Sequence, residues 1–167
     1  LLPQLEAIMK IKWIVCMGLV LIAVCLGVSF NYAHGISNFK CTNQSRYRIT
    51  RNSVVYDFYV KQTIQLYEDN TGFISFNGKV VGGDVTQSVS RKILLRDGHQ
   101  IDNHTLQYQN DGVRRLPADH VEDDIFQILL AEVSGDDATL IFERERIDNH
   151  AWLIGNPDAW VLTCVEY

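Results

Sequence analysis

Two cysteines, one glutamine and one arginine are the residues of this chain best placed to do more than fill a core. Cys41 and Cys164 bracket nearly the whole polar part of the sequence. In an oxidising compartment, two such cysteines suggest a disulfide; the other reading is a pair of free thiols. Closing so long a loop would stabilise by about 4–5 kcal/mol in the chain-entropy picture. A zinc site needs more ligands than these two supply at metal-binding spacing, so no metal is expected. Gln62 and Arg91 fall where strand alternation places apolar neighbours inward. A buried charge is costly unless paired. Each is therefore either paired within the core or faces a cavity that holds a ligand with a polar end. Near a barrel mouth, Arg91 could meet a ligand carboxylate.

The remaining chemistry-bearing residues form no catalytic constellation. There is no Gly-x-Ser-x-Gly, no His-Glu-x-x-His and no phosphate-cradling glycine loop. Neither catalytic residues nor a cofactor are expected, and an envelope hydrolase is the least supported reading. Asp119, Glu122, Asp123 and Asp124 lack the spacing of a calcium loop and fit the first turn of a helix, where carboxylates meet the positive end of the dipole. The five histidines are scattered and fall mostly in expected turns. Asn43-Gln44-Ser45 and Asn103-His104-Thr105 match the glycosylation pattern.

What must position these residues is a two-part chain. Trp13 to Phe30 is apolar and uncharged, with Lys10 and Lys12 just before it. At about 1.5 Å per residue it reaches roughly 27 Å, close to a bilayer's hydrocarbon thickness. The lysines place the N-terminus in the cytoplasm. An uncleaved anchor fits better than a cleaved signal, because Asn31 is a poor residue three positions before a cut at Ala33. It also fits better than a lipoprotein signal, because Val15 and Val24 precede Cys16 and Cys25. Those two cysteines read as small hydrophobes. Met9-Lys10 reads as a natural start, with residues 1–8 upstream of it. The expected organisation is a cytoplasmic tail over 1–12, an anchor over 13–30, a tether over 31–38 and a periplasmic domain over 39–167.

The full chain has a formal charge of −5; with Glu6, Lys10 and Lys12 set aside, 13 basic and 19 acidic residues remain, a net of −6. An acidic domain repels phosphate, so no nucleic-acid partner is expected. After residue 40 the hydrophobic period is mostly two, which predicts strands over 40–50, 54–67, 73–80, 85–96, 100–109, 138–146, 151–154 and 160–165. The first of these reads as an edge strand. Turns are expected at 68–72, at Gly82-Gly83-Asp84 and at Asp97-Gly98. A helix is expected from Asp119, or from Pro117 itself, to Val133, with Val121, Ile125, Ile128 and Leu129 along one stripe. The fold class is mainly β: a curved antiparallel sheet or small barrel with one inserted helix, or else a two-layer α+β fold.

With these residues in hand, the chain resembles the FidL-like family of bacterial inner-membrane proteins. The likeness runs through the lysine-flanked anchor, Asn38-Phe39-Lys40-Cys41, and Gly72-Phe73-Ile74-Ser75-Phe76-Asn77-Gly78. It continues through Ser90-Arg91, Leu116-Pro117 leading to Asp123-Asp124, and a last strand ending at Cys164. The resemblance implies a single-pass inner-membrane protein with a lipocalin-like periplasmic domain, similar in arrangement to the ToxS and VtrC accessory proteins. Its implied partner is the periplasmic domain of a ToxR-type transcriptional activator, in a heterodimer that can take a small amphipathic molecule such as a bile salt. A tail as short as Met-Lys-Ile-Lys cannot bind DNA specifically, so a partner would have to carry any signal inward. A partner-dependent fold should leave an unpaired strand or an exposed apolar patch. A stand-alone small-molecule carrier, the alternative, should not.

Overall fold

The computed structural model describes the backbone of residues 2–32, 36–134, 138–157 and 159–167, and the side chains of 12–27, 36–131, 138–157 and 159–167. The chain divides into two compact units, Leu1–Gly35 and Ile36–Tyr167. In the first, α1 runs from Leu2 to Tyr32. Its described side chains are apolar around the whole circumference apart from Lys12, and nearly all are exposed. Among the described residues no helix is long and apolar enough to cross a membrane.

The second unit is a closed antiparallel barrel of eight strands in simple sequence order. They are β1 (Phe39–Arg51), β2 (Val54–Leu66), β3 (Gly72–Gly82), β4 (Val85–Gln100), β5 (Thr105–Arg115), β6 (Thr139–Asp148), β7 (Ala151–Asn156) and β8 (Ala159–Glu166). The helix α2 (Asp123–Ser134) is inserted between β5 and β6. Each strand alternates as its sequence dictates. On β2, Phe58, Val60, Gln62, Ile64 and Leu66 point inward and are buried, while Asp57, Tyr59 and Lys61 point out. One continuous core results, and it includes Phe126, Leu129 and Leu130 of α2. The barrel is the solution to the edge problem that the pattern allowed, and the open α+β sheet is not formed.

Local chemistry explains where the fold departs from the pattern. The first hairpin turns at Asn52 and Ser53, both at positive φ, as a two-residue loop requires. Asp97-Gly98 makes no turn; it forms a bulge within β4, with Asp97 at a φ of 51°. A Cβ on Gly98 would lie 2.3 Å from the Tyr108 ring, so only glycine lets that ring pack beneath β4. β4 therefore continues to Gln100, and β5 occupies 105–115 instead of 100–109. The first strand is not an edge in the ordinary sense, because it pairs with β2 along its full length and with β8 at its start. The helix begins at Asp123, since the segment before it is bound to β4, as described next.

Candidate functional site: the helix-covered seam of the barrel

The wall is not uniformly sealed. β1 and β2 pair over thirteen positions, from Phe39–Leu66 to Arg51–Val54. β1 and β8 pair only at Cys41–Glu166 and Thr42–Val165. A ladder continued in that register would reach Arg48 opposite Ala159. It stops instead at Thr42, so among the described residues the outer edge of β1 from Asn43 to Arg51 has no strand partner. The inward side chains of this stretch, Asn43, Ser45, Tyr47 and Ile49, are only half-buried. On the facing strand Trp160 is 47% exposed.

The disulfide Cys41–Cys164 lies beside the last closed rung, with its Cα atoms 5.5 Å apart and a sequence separation of 123. Both cysteines are buried. Beyond it, β7 and β8 are short, and α2 contacts β1 on one side and β6 on the other. The helix thus bridges β1 and β6. Phe126 enters the core and meets Phe76 edge-on at 5.8 Å.

A buried ionic cluster holds the start of this cover. Residues 116–120 run along β4: Leu116 N–H donates to the Ser90 carbonyl at 3.0 Å and His120 N–H to the Ser88 carbonyl at 2.9 Å. That places the Asp119 carboxylate, fully buried, against three donors. They are Ser90 N–H at 2.8 Å, Arg91 Nε at 2.9 Å and Arg115 Nε at 2.8 Å. Arg91 also donates to the Val121 carbonyl and, at 2.7 Å, to Asp123 at the first turn of α2. Its guanidinium lies 4.7 Å from the Phe126 ring centre. Arg115 Nη2 donates to the same Val121 carbonyl. Two arginines on two strands thereby grip the segment that leads into the helix. A buried pair needs hydrogen bonds of this kind to offset desolvation.

Gln62 and Arg91 both point inward, and both are paired. Gln62 Oε1 accepts from Tyr47 Oη at 2.9 Å. It borders an interior void of about 20 Å³, shared with Ile64, Ile74, Leu140 and Phe142. That is room for about one water, against several hundred Å³ for a small-molecule site. Arg91 lies outside the void, in the ionic cluster. The void that Gln62 borders is therefore too small for such a ligand. Burial raises the Tyr47 hydroxyl above its ordinary range and pushes Tyr108 up to about 12. The Tyr108 hydroxyl is buried with no partner among the described residues.

Asp119 and Phe126 were not legible as members of this site. Asp119 reads locally as a helix opener, and its partner Arg91 is 28 residues away. Phe126 lies between the residues of the expected stripe. Its only sequence signal is an aromatic residue within one turn of the acidic helix start.

The sequence profile described as FidL-like putative membrane protein matches residues 78–164, which runs from β3 through the ionic cluster and α2 to the second cysteine of the disulfide. Neither the curated proteins nor the solved structures offer a match. The matched stretch is just over half of the chain, and on that ground the chain belongs to the FidL-like family of membrane proteins.

Proposed function

We propose that this chain is an extracytoplasmic accessory subunit that binds the periplasmic domain of a ToxR-type membrane-bound transcriptional activator and stabilises or gates it. In this reading α1 anchors the chain in the bacterial inner membrane, with Lys10 and Lys12 on the cytoplasmic side and the barrel in the periplasm. The observation that carries the proposal is the unpaired edge of β1 from Asn43 to Arg51. A free strand edge is a template for a strand from another chain. The disulfide fits an oxidising compartment. Binding to the folded barrel would stabilise the pair by mass action.

The stand-alone carrier is the weaker reading, since the void that Gln62 borders has room for about one water. Sensing of an amphipathic molecule such as a bile salt would belong to a chamber made by the pair, with Gln62 and Arg91 candidates for its wall. The ligand would shift the population toward the paired state only through differential affinity for it. The test is photo-cross-linking in native membranes from a benzoylphenylalanine placed at Thr50 or at Trp160, with Thr86 on β4, three strands from β1 in the barrel order, as control. A cross-link from the first two positions to a single-pass protein with a cytoplasmic winged-helix domain is expected. Cross-links to no such protein, or equal yields from Thr86, would overturn the proposal.

A further inference from the structure

The outward positions of β1 to β3, and of β4 as far as Leu94, carry six cations: Lys40, Arg46, Arg48, Lys61, Lys79 and Lys92. They carry a single carboxylate, Asp57, which accepts from both Arg46 and Arg48. Every lysine after residue 12 is on this wall. The remainder of residues 31–167 holds seven basic and eighteen acidic residues. An acidic domain therefore presents one face that is net positive by five, and such an asymmetry orients the molecule in a field.

The cations are laid on aromatic rings. Arg46 and Lys79 lie 5.1 and 5.6 Å from the Tyr59 ring centre, Lys92 lies 4.0 Å from Phe73 and Lys40 lies 4.3 Å from Tyr167. Strand register aligns Arg46, Tyr59 and Lys79 in one row and Gln44, Lys61 and Asn77 in the next. Between these rows is a surface groove of about 430 Å³ lined by Gln44, Arg46, Tyr59, Lys61 and Asn77.

We propose that the outer wall of β1–β4 is a docking surface for anionic lipid headgroups, with the groove between Arg46 and Lys61 receiving a headgroup phosphate. Guanidinium and ammonium groups supply the charge-assisted donors that phosphate oxygens accept. Aromatic rings beside snorkelling cations are the composition of protein surfaces at a membrane interface. The inference rests on the anchored reading given above.

The test uses the full chain reconstituted into nanodiscs of phosphatidylcholine alone or of phosphatidylcholine with phosphatidylglycerol. The rate of amine acetylation at Lys61, Lys79 and Lys92 is read by mass spectrometry. The proposal expects rates about threefold or more lower in the anionic discs, with the difference lost at high salt. In the variant Lys61→Glu/Lys79→Glu, the Lys92 rate in anionic discs should rise to its value in neutral discs. Equal rates in both discs would overturn the proposal and leave the anchor intact. Failure of the chain to enter either disc would remove the anchor and the proposal together. Protection in native membranes but not in anionic discs would assign the wall to an acidic protein and likewise overturn it.

Discussion

Replacing Asp119 by Asn tests whether the ionic cluster holds the helical cover in place. The change is nearly isosteric, so packing is preserved while the charge is removed. Asp119 is fully buried and Arg91 is 3% exposed, so neither is served by water. In the variant, Ser90 N–H can still reach an amide oxygen. The two guanidinium Nε donors of Arg91 and Arg115, however, would compete for the same oxygen or face an NH₂ group. Breaking a buried pair by removing one partner costs about 3–5 kcal/mol. Arg91 keeps the Val121 carbonyl and Asp123, which places the loss near the lower end, at about 3 kcal/mol. For a domain of this size that corresponds to a fall in Tm of roughly 10 °C. The double variant Arg91→Met/Asp119→Leu removes both charges and should recover most of the loss, since an apolar replacement of a buried pair is often neutral. Thermal unfolding of the detergent-solubilised, oxidised full chain reads both. A loss below about 1 kcal/mol for Asp119→Asn, the range of exposed pairs, would refute the reasoning.

Other perturbations probe separate parts of the barrel. Cys41→Ser/Cys164→Ser should lower stability by about 4–5 kcal/mol, the chain-entropy figure for so long a loop, as read by urea unfolding. Gly98→Ala forces a methyl into the Tyr108 ring and should cost about 1–3 kcal/mol by overpacking, seen in the same assay. Tyr108→Phe removes a buried hydroxyl with no partner among the described residues and should be neutral or stabilising. Its pH dependence has a defined sign. Below the ordinary tyrosine range the folded and unfolded states are both neutral at this position. As pH rises from about 10 toward the folded value of about 12, only the unfolded chain ionises, so stability falls across that window. Urea titrations over it should show a shallower decline in Tyr108→Phe than in the parent chain.

Much of the barrel was legible because alternation is a local signal. Phe58 to Leu66 and Ile74 to Val80 announce one inward face each, and Gly82-Gly83-Asp84 announces the turn between β3 and β4. Closure was legible only through the expected Cys41–Cys164 bond and the barrel alternative. The rungs that close it, Cys41–Glu166 and Thr42–Val165, join residues 125 and 123 positions apart, and no local pattern encodes that meeting. Asp97-Gly98 has turn chemistry, but the same residues serve a bulge when a tyrosine from the next strand packs beneath the glycine. The expected helix began too early because Asp119 carries two competing signals, helix opening and ion pairing. Burial of Arg91 decided for the second. That Arg91 and Gln62 would be inward was readable from periodicity. What they would face was not, because their partners Asp119 and Tyr47 come from other strands and loops.

Hydrogen exchange along β1 tests the central claim most directly. In the purified full chain, amides of Asn43 to Arg51 that point away from β2 should exchange fast, while those of β2 and β3 stay protected. In the assembly isolated with its membrane partner, the same β1 amides should become protected. Unchanged fast exchange in the assembly, or full protection in the lone chain, would contradict the account of a barrel whose open seam is completed by another protein.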